Sequence, residues 1–130
     1  MKKALFYERK NESVLCKLCC HGCVLTDGQK GRCAVRQNIG GDLFSLNYGK
    51  LVAEHVDPIE KKPLFHFMPG TLTYSISTVG CNFHCLHCQN HSISQQNIDT
   101  EISGVFRSPE YVVEQALLQG CKSISYTYVE

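Results

Sequence analysis

Apolar and polar positions along the chain predict a small number of elements. From Thr71 to Val79, tyrosine, isoleucine and valine are interspersed with serine and threonine, the β-branched and aromatic composition of a strand, and the run stops at Gly80. Farther on, Val112, Val113, Ala116 and Leu117 recur at helical spacing between Ser108-Pro109-Glu110 and Gly120. The serine can cap the free amides, the proline suits a first turn, and the glutamate complements the helix dipole. Lys122 to Val129 returns to strand composition, so this half predicts strand, loop, helix, strand: one βαβ unit with a right-handed crossover.

The first half reads differently. Gly40-Gly41 marks a turn, Asp42 to Tyr48 a short alternating strand, and Leu51-Val52-Ala53 the start of another, which together suggest a small β-rich module. Pro58, Pro63 and Pro69 make residues 57–70 an extended connector, because proline removes a backbone donor and restricts the residue before it. We therefore expect two parts, 1–70 and 71–130. Two parallel strands leave their edges and a helix-facing surface uncovered, so the second part is expected to be the start of a partial (β/α) barrel, present as the N-terminal portion of a longer chain or as a truncated product. No internal repeat is visible.

Composition narrows the function class. With 130 residues, 43% of them hydrophobic, a core is affordable, while a formal net charge of +1 without a basic run argues against a nucleic-acid partner and against a polybasic membrane anchor. The apolar run in residues 1–10 is too short for a signal peptide, and no later stretch is long enough to span a membrane. A cytoplasmic location is the expectation. In that compartment nine cysteines suit metal or redox ligands better than the disulfide framework of a small secreted domain.

The cysteines fall into two groups. Cys16-Lys17-Leu18-Cys19-Cys20-His21-Gly22-Cys23, followed by a glycine-rich turn and Gly31-Arg32-Cys33, has the layout of a tetrahedral thiolate site. The expected ligands are Cys16, Cys19, Cys23 and Cys33, with Cys20 spare and His21 as a substitute; zinc, a second iron-sulfur cluster and no metal at all stay open. The other group is Cys81, Cys85 and Cys88, spaced CxxxCxxC immediately after the first strand of the βαβ unit. Three thiols are an incomplete set, which suits an iron-sulfur cluster with one open iron. Strand C-termini in α/β folds converge on the crevice where ligands bind. Cys121 is expected to be a small buried side chain, and His84 and His91 exposed loop residues.

This CxxxCxxC spacing resembles the defining motif of the radical S-adenosylmethionine (radical SAM) superfamily. The resemblance extends to Pro58-Ile59-Glu60-Lys61-Lys62-Pro63-Leu64-Phe65-His66-Phe67, to Gly80-Cys81-Asn82-Phe83, to Cys88-Gln89-Asn90 and to the four-cysteine segment ending at Cys33. Over nearly the whole chain it looks like the radical SAM component of the AmmeMemoRadiSam system, a group similar to the pyruvate formate-lyase activating enzymes. The resemblance implies a [4Fe-4S] cluster on Cys81, Cys85 and Cys88, with S-adenosylmethionine on the fourth iron. It implies reductive cleavage of that cofactor to a 5′-deoxyadenosyl radical, an electron donor such as flavodoxin or ferredoxin, and a protein or small-molecule substrate.

Two positions depart from the family's pattern. His87 stands where a larger aromatic commonly touches the adenine, and it reads equally well as a solvated loop residue. Glu130 falls where the superfamily has a short acidic motif near the cofactor amino group, but without the family's glycine pair. Against the enzyme stands a second reading: a non-catalytic zinc or iron-sulfur binding module.

Overall fold

The computed structural model describes residues 1–95 and 101–127. Its first residues build two small antiparallel sheets. Strands β2 (Tyr7–Lys10), β3 (Ser13–Cys16) and β4 (Val24–Thr26) form a meander in that order. Strand β1 (Lys2–Lys3) pairs with β6 (Asp42–Ser45), which pairs with β5 (Arg36–Ile39). Between β5 and β6, Gly40 and Gly41 take φ of 59° and 82°, a two-residue turn whose twist matches a hairpin and which glycine enters without strain. Ala4, Val14, Cys16, Leu25 and Leu43 bury their side chains together between these sheets. Fully buried Asn38 ties the two by donating to the Leu25 carbonyl at 2.9 Å.

A third sheet follows. Strand β8 (Ala53–Pro58) runs antiparallel to β9 (Leu72–Ser77), and β11 (Ser123–Tyr126) lies parallel on the other edge of β9. Two residues of β10 (Val105–Phe106) pair with β7 (Lys50–Leu51). Helix α1 (His91–Ser94) is a single turn; α2 (Pro109–Leu118) connects to β11 and packs Val112 and Ala116 against Leu51, Tyr74, Ile76 and Cys121. Ser108 caps α2 by accepting from the Tyr111 amide at 3.1 Å, and Pro109 opens its first turn.

The expected fold class is corrected here. Although β9, α2 and β11 form one strand-helix-strand unit, the described residues are mostly small antiparallel sheets with two α-helices, and they contain no partial (β/α) barrel of the radical SAM type. The physical reason lies in β8. It occupies the edge of β9 opposite β11 in the antiparallel sense, so a parallel array cannot continue on that side. The connector also behaves differently from expectation. Residues 53–58 are strand, Ile59–Lys61 form a 3-10 turn, and the pairing of β8 with β9 crosses residue 70.

Asp57 secures that crossing. It is 4% exposed, and its carboxylate accepts hydrogen bonds from Lys61 at 2.7 Å, Lys62 at 2.9 Å and Ser75 at 2.7 Å. Burial alone would raise its pKa, but the hydrogen bonds from Lys61, Lys62 and Ser75 hold it well below the usual carboxylate range. A depressed folded pKa contributes stability above the unfolded value of about 3.9, and that stability is lost as pH falls toward the folded one. Asp57→Asn should therefore cost about 2 kcal/mol at neutral pH. In denaturant melts the gap from the parent should shrink below about pH 4; a gap unchanged by acid would rule out the ionised carboxylate as its source.

Candidate metal centre

Strand β9 delivers the CxxxCxxC loop, and the N-terminal sheets hold its base. Buried Asn47 donates to Thr78 Oγ1 at 2.8 Å and to the Val79 carbonyl at 3.2 Å, and its own carbonyl accepts from Ser45 at 2.9 Å. Val79 packs with Val35 and Ile102 in a small core shared by both halves. Gly80 follows with φ +96°, and its amide donates to the Ile93 carbonyl at 3.0 Å. A side-chain carbon at this position would lie 2.4 Å from Val35 Cγ1 and 2.7 Å from the Cys33 carbonyl. Only glycine allows the two cysteine-bearing segments to approach this closely.

The loop beyond is held at a few points. The Phe83 amide points at Cys81 Sγ at 3.4 Å, the Cys88 amide closes a turn on the Cys85 carbonyl at 3.3 Å, and Gln95 Nε2 donates to the Phe83 carbonyl at 2.8 Å. Cys88 Sγ lies 3.3 Å from Ser94 Oγ, a buried hydroxyl at the end of α1. Cys81 and Cys88 are half-buried, whereas Cys85 is exposed, as are His84, His87 and His91. The centre of the loop faces solvent with Phe83 and Leu86, the latter fully exposed. Glu130 lies outside the described residues.

The earlier cysteines are gathered differently. Two turns shape their segment: the Gly22 amide donates to the Cys19 carbonyl at 3.3 Å, and the Ala34 amide to the Gly31 carbonyl at 2.8 Å. The Cys16 amide also donates to the Cys23 carbonyl at 2.9 Å. As a result Cys16, Cys19, Cys23 and Cys33 line one pocket of about 10 Å³, together with Arg32, Arg36 and Asn82. Cys20 is exposed and is not part of the lining. His21 Nε2 lies 2.8 Å from the Asn82 carbonyl, which can only accept, so the imidazole donates there and bridges the two groups of cysteines.

The nine cysteines are thiols, with no disulfide among the described residues. Nor, among those residues, do three histidine, cysteine, aspartate or glutamate side chains stand together as the ligands of a metal ion would. The fit to a metal therefore rests on donor chemistry and placement. Three thiols on one short loop, one of them already accepting an amide, form a donor set suited to iron, because hydrogen bonds to cluster sulfurs are part of how proteins tune such centres. Cys121 plays no part. It is buried beneath α2, and burial pushes its thiol pKa up.

Sequence reading missed the fastening of the loop to the N-terminal sheets. Nothing local in the residues around Asn47 or His21 marks them as partners of positions 31 and 61 residues away. In the sequence Gly80 marks the end of a strand and belongs to the Gly80-Cys81-Asn82-Phe83 resemblance; its close approach to Cys33 and Val35, which brings the two groups together, is visible only in the fold.

Fold and site together define a cysteine-rich β module joined to a single strand-helix-strand unit, with the two cysteine-bearing segments in contact where these meet. An uncharacterized protein of Methanocaldococcus jannaschii is 47% identical over 131 aligned residues, a match covering 100% of this chain and 39% of that protein. The chain thus spans about two-fifths of the length of the relative it matches. No protein-family model and no solved structure matches it. Among the described residues, no helix is long and apolar enough to cross a membrane.

Proposed function

We propose that Cys81, Cys85 and Cys88 hold a [4Fe-4S] cluster and that the chain belongs to an enzyme using S-adenosylmethionine as a radical source. The observation that carries the reading is the placement of three thiols at CxxxCxxC spacing on the loop leaving the C-terminal end of β9, beside the parallel strand β11. When bound, such a cluster supplies an electron at an open iron where the cofactor's amino and carboxylate groups can chelate. The chain's own residues do the positioning. Asn47 and Gly80 fix the start of the loop, the Phe83 amide donates to Cys81, and Ser94 stands beside Cys88. His87, exposed on the same loop, offers a flat face to an adenine ring. The electron donor would be a flavodoxin or ferredoxin, and the substrate a protein or a small molecule.

A second reading is favoured by the antiparallel sheets and by the thiol-lined pocket: a metal-binding module without radical chemistry. One measurement separates the two. After anaerobic reconstitution with iron and sulfide, the reduced protein should give a low-temperature paramagnetic signal of a [4Fe-4S] centre that changes shape on adding S-adenosylmethionine. A protein that retains zinc alone and stays silent would sink the enzyme reading.

A further inference from the structure

We infer that Cys16, Cys19, Cys23 and Cys33 are the four ligands of a single structural zinc ion, and that this ion braces the base of the CxxxCxxC loop. Four thiols, one at the end of β3 and three from the segments that follow it, line one pocket, the number that closes a tetrahedral zinc shell with no position left over. The pocket has room for about one water-sized sphere between the thiols, which a single ion would fill.

Local chemistry agrees. A side-chain carbon at Gly31 would stand 3.9 Å from both Cys23 Sγ and Cys33 Sγ, so these two sulfurs flank the same bare stretch of backbone although they come from different turns. Four thiolates around a divalent ion leave two negative charges, and Arg32 and Arg36 on the pocket wall supply two positive ones. The turns that carry the cysteines are already closed by backbone hydrogen bonds. No three of these side chains stand together as bound ligands would, so binding has to draw the four sulfurs onto the ion.

The brace follows from what adjoins the pocket. Asn82 is in its wall, His21 donates to the Asn82 carbonyl at 2.8 Å, and the Cys33 carbonyl and Val35 press on Gly80. Fixing Cys19, Cys23 and Cys33 therefore fixes the surface on which residues 80–82 rest. This site does not depend on the iron reading, and the two can fail separately, because one is read by zinc and the other by iron and sulfide.

The protein purified from zinc-supplemented cells should carry one zinc per chain, with zinc-edge absorption reporting four sulfurs at about 2.3 Å. That measurement needs no variant. Cys19→Ser and Cys33→Ser should lower zinc content at least tenfold, while Cys20→Ser and Cys81→Ser leave it unchanged. Nitrogen or oxygen ligands at the edge, equal zinc loss in Cys20→Ser, or iron and sulfide retained when Cys81, Cys85 and Cys88 are all replaced would each overturn the assignment. For the brace, stripping zinc with a chelator should speed amide exchange at residues 80–82 at least tenfold while Leu72–Ser77 stays protected. Unchanged exchange at 80–82, or equal loss of protection along Leu72–Ser77, would count against it.

Discussion

Cys85→Ala is expected to reduce bound iron and sulfide at least tenfold after anaerobic reconstitution, and to remove the visible absorption of the cluster. The residue sits in the middle of the loop, exposed, with its carbonyl already accepting the Cys88 amide at 3.3 Å. Alanine keeps that turn and removes only the sulfur. Two thiols, at Cys81 and Cys88, cannot retain a four-iron centre that three barely complete. Cys121→Ala supplies the comparison. Its thiol is buried with Tyr74, Ile76, Val112 and Ala116, so truncation should cost about 1 kcal/mol of stability and no iron. Equal iron loss in both variants would mean that the ligands are misassigned.

Gly80→Ala should be the most damaging single-methyl change in the chain. The added carbon would meet Val35 Cγ1 at 2.4 Å and the Cys33 backbone carbonyl at 2.7 Å, and at φ +96° any side chain is strained as well. Val35 can shift slightly; a backbone carbonyl inside a turn cannot. Overpacking and backbone strain together should cost about 3 kcal/mol, which for a chain of this size lowers the melting temperature by about 10 °C. Gly28→Ala is the control, because its φ of +76° is also unfavourable but nothing lies within 4 Å of the new carbon. It should cost only about 1 kcal/mol. Identical melting temperatures for the two variants would show that the contact between Gly80 and the Cys33 segment is not made.

The sequence was most informative where chemistry is local. Ser108, Pro109 and the spacing of Val112 and Ala116 marked α2, and Gly40-Gly41 marked the turn between β5 and β6, because caps and left-handed turns are dictated by the residues that make them. The composition of residues 71–79 likewise pointed to β9. Strand partners were not legible. Which edge of β9 receives β8, and in which direction, depends on pairings made across a prolonged segment with three prolines, and the barrel expectation failed at that point. Strands β1 and β10 have only two residues each, too short to carry a period of alternation. For the site, spacing named the cysteines that line the pocket, but the contacts of His21 with Asn82 and of Asn47 with Thr78 are tertiary and leave no trace in either segment.

Those fastenings also bear on when the loop takes its place. The hydrogen bonds that fix its base join residues separated by 61 positions for His21 and Asn82, and by 31 for Asn47 and Thr78. Contacts of such long range form only after the intervening chain has lost much of its freedom, and they slow folding accordingly. The loop can therefore be flexible while nascent and still become ordered in the finished protein. For the cluster proposed on Cys81, Cys85 and Cys88, iron delivered before the N-terminal sheets have closed would meet three thiols whose loop base is not yet fastened, so its assembly is expected to depend on residues that contribute no ligand to it.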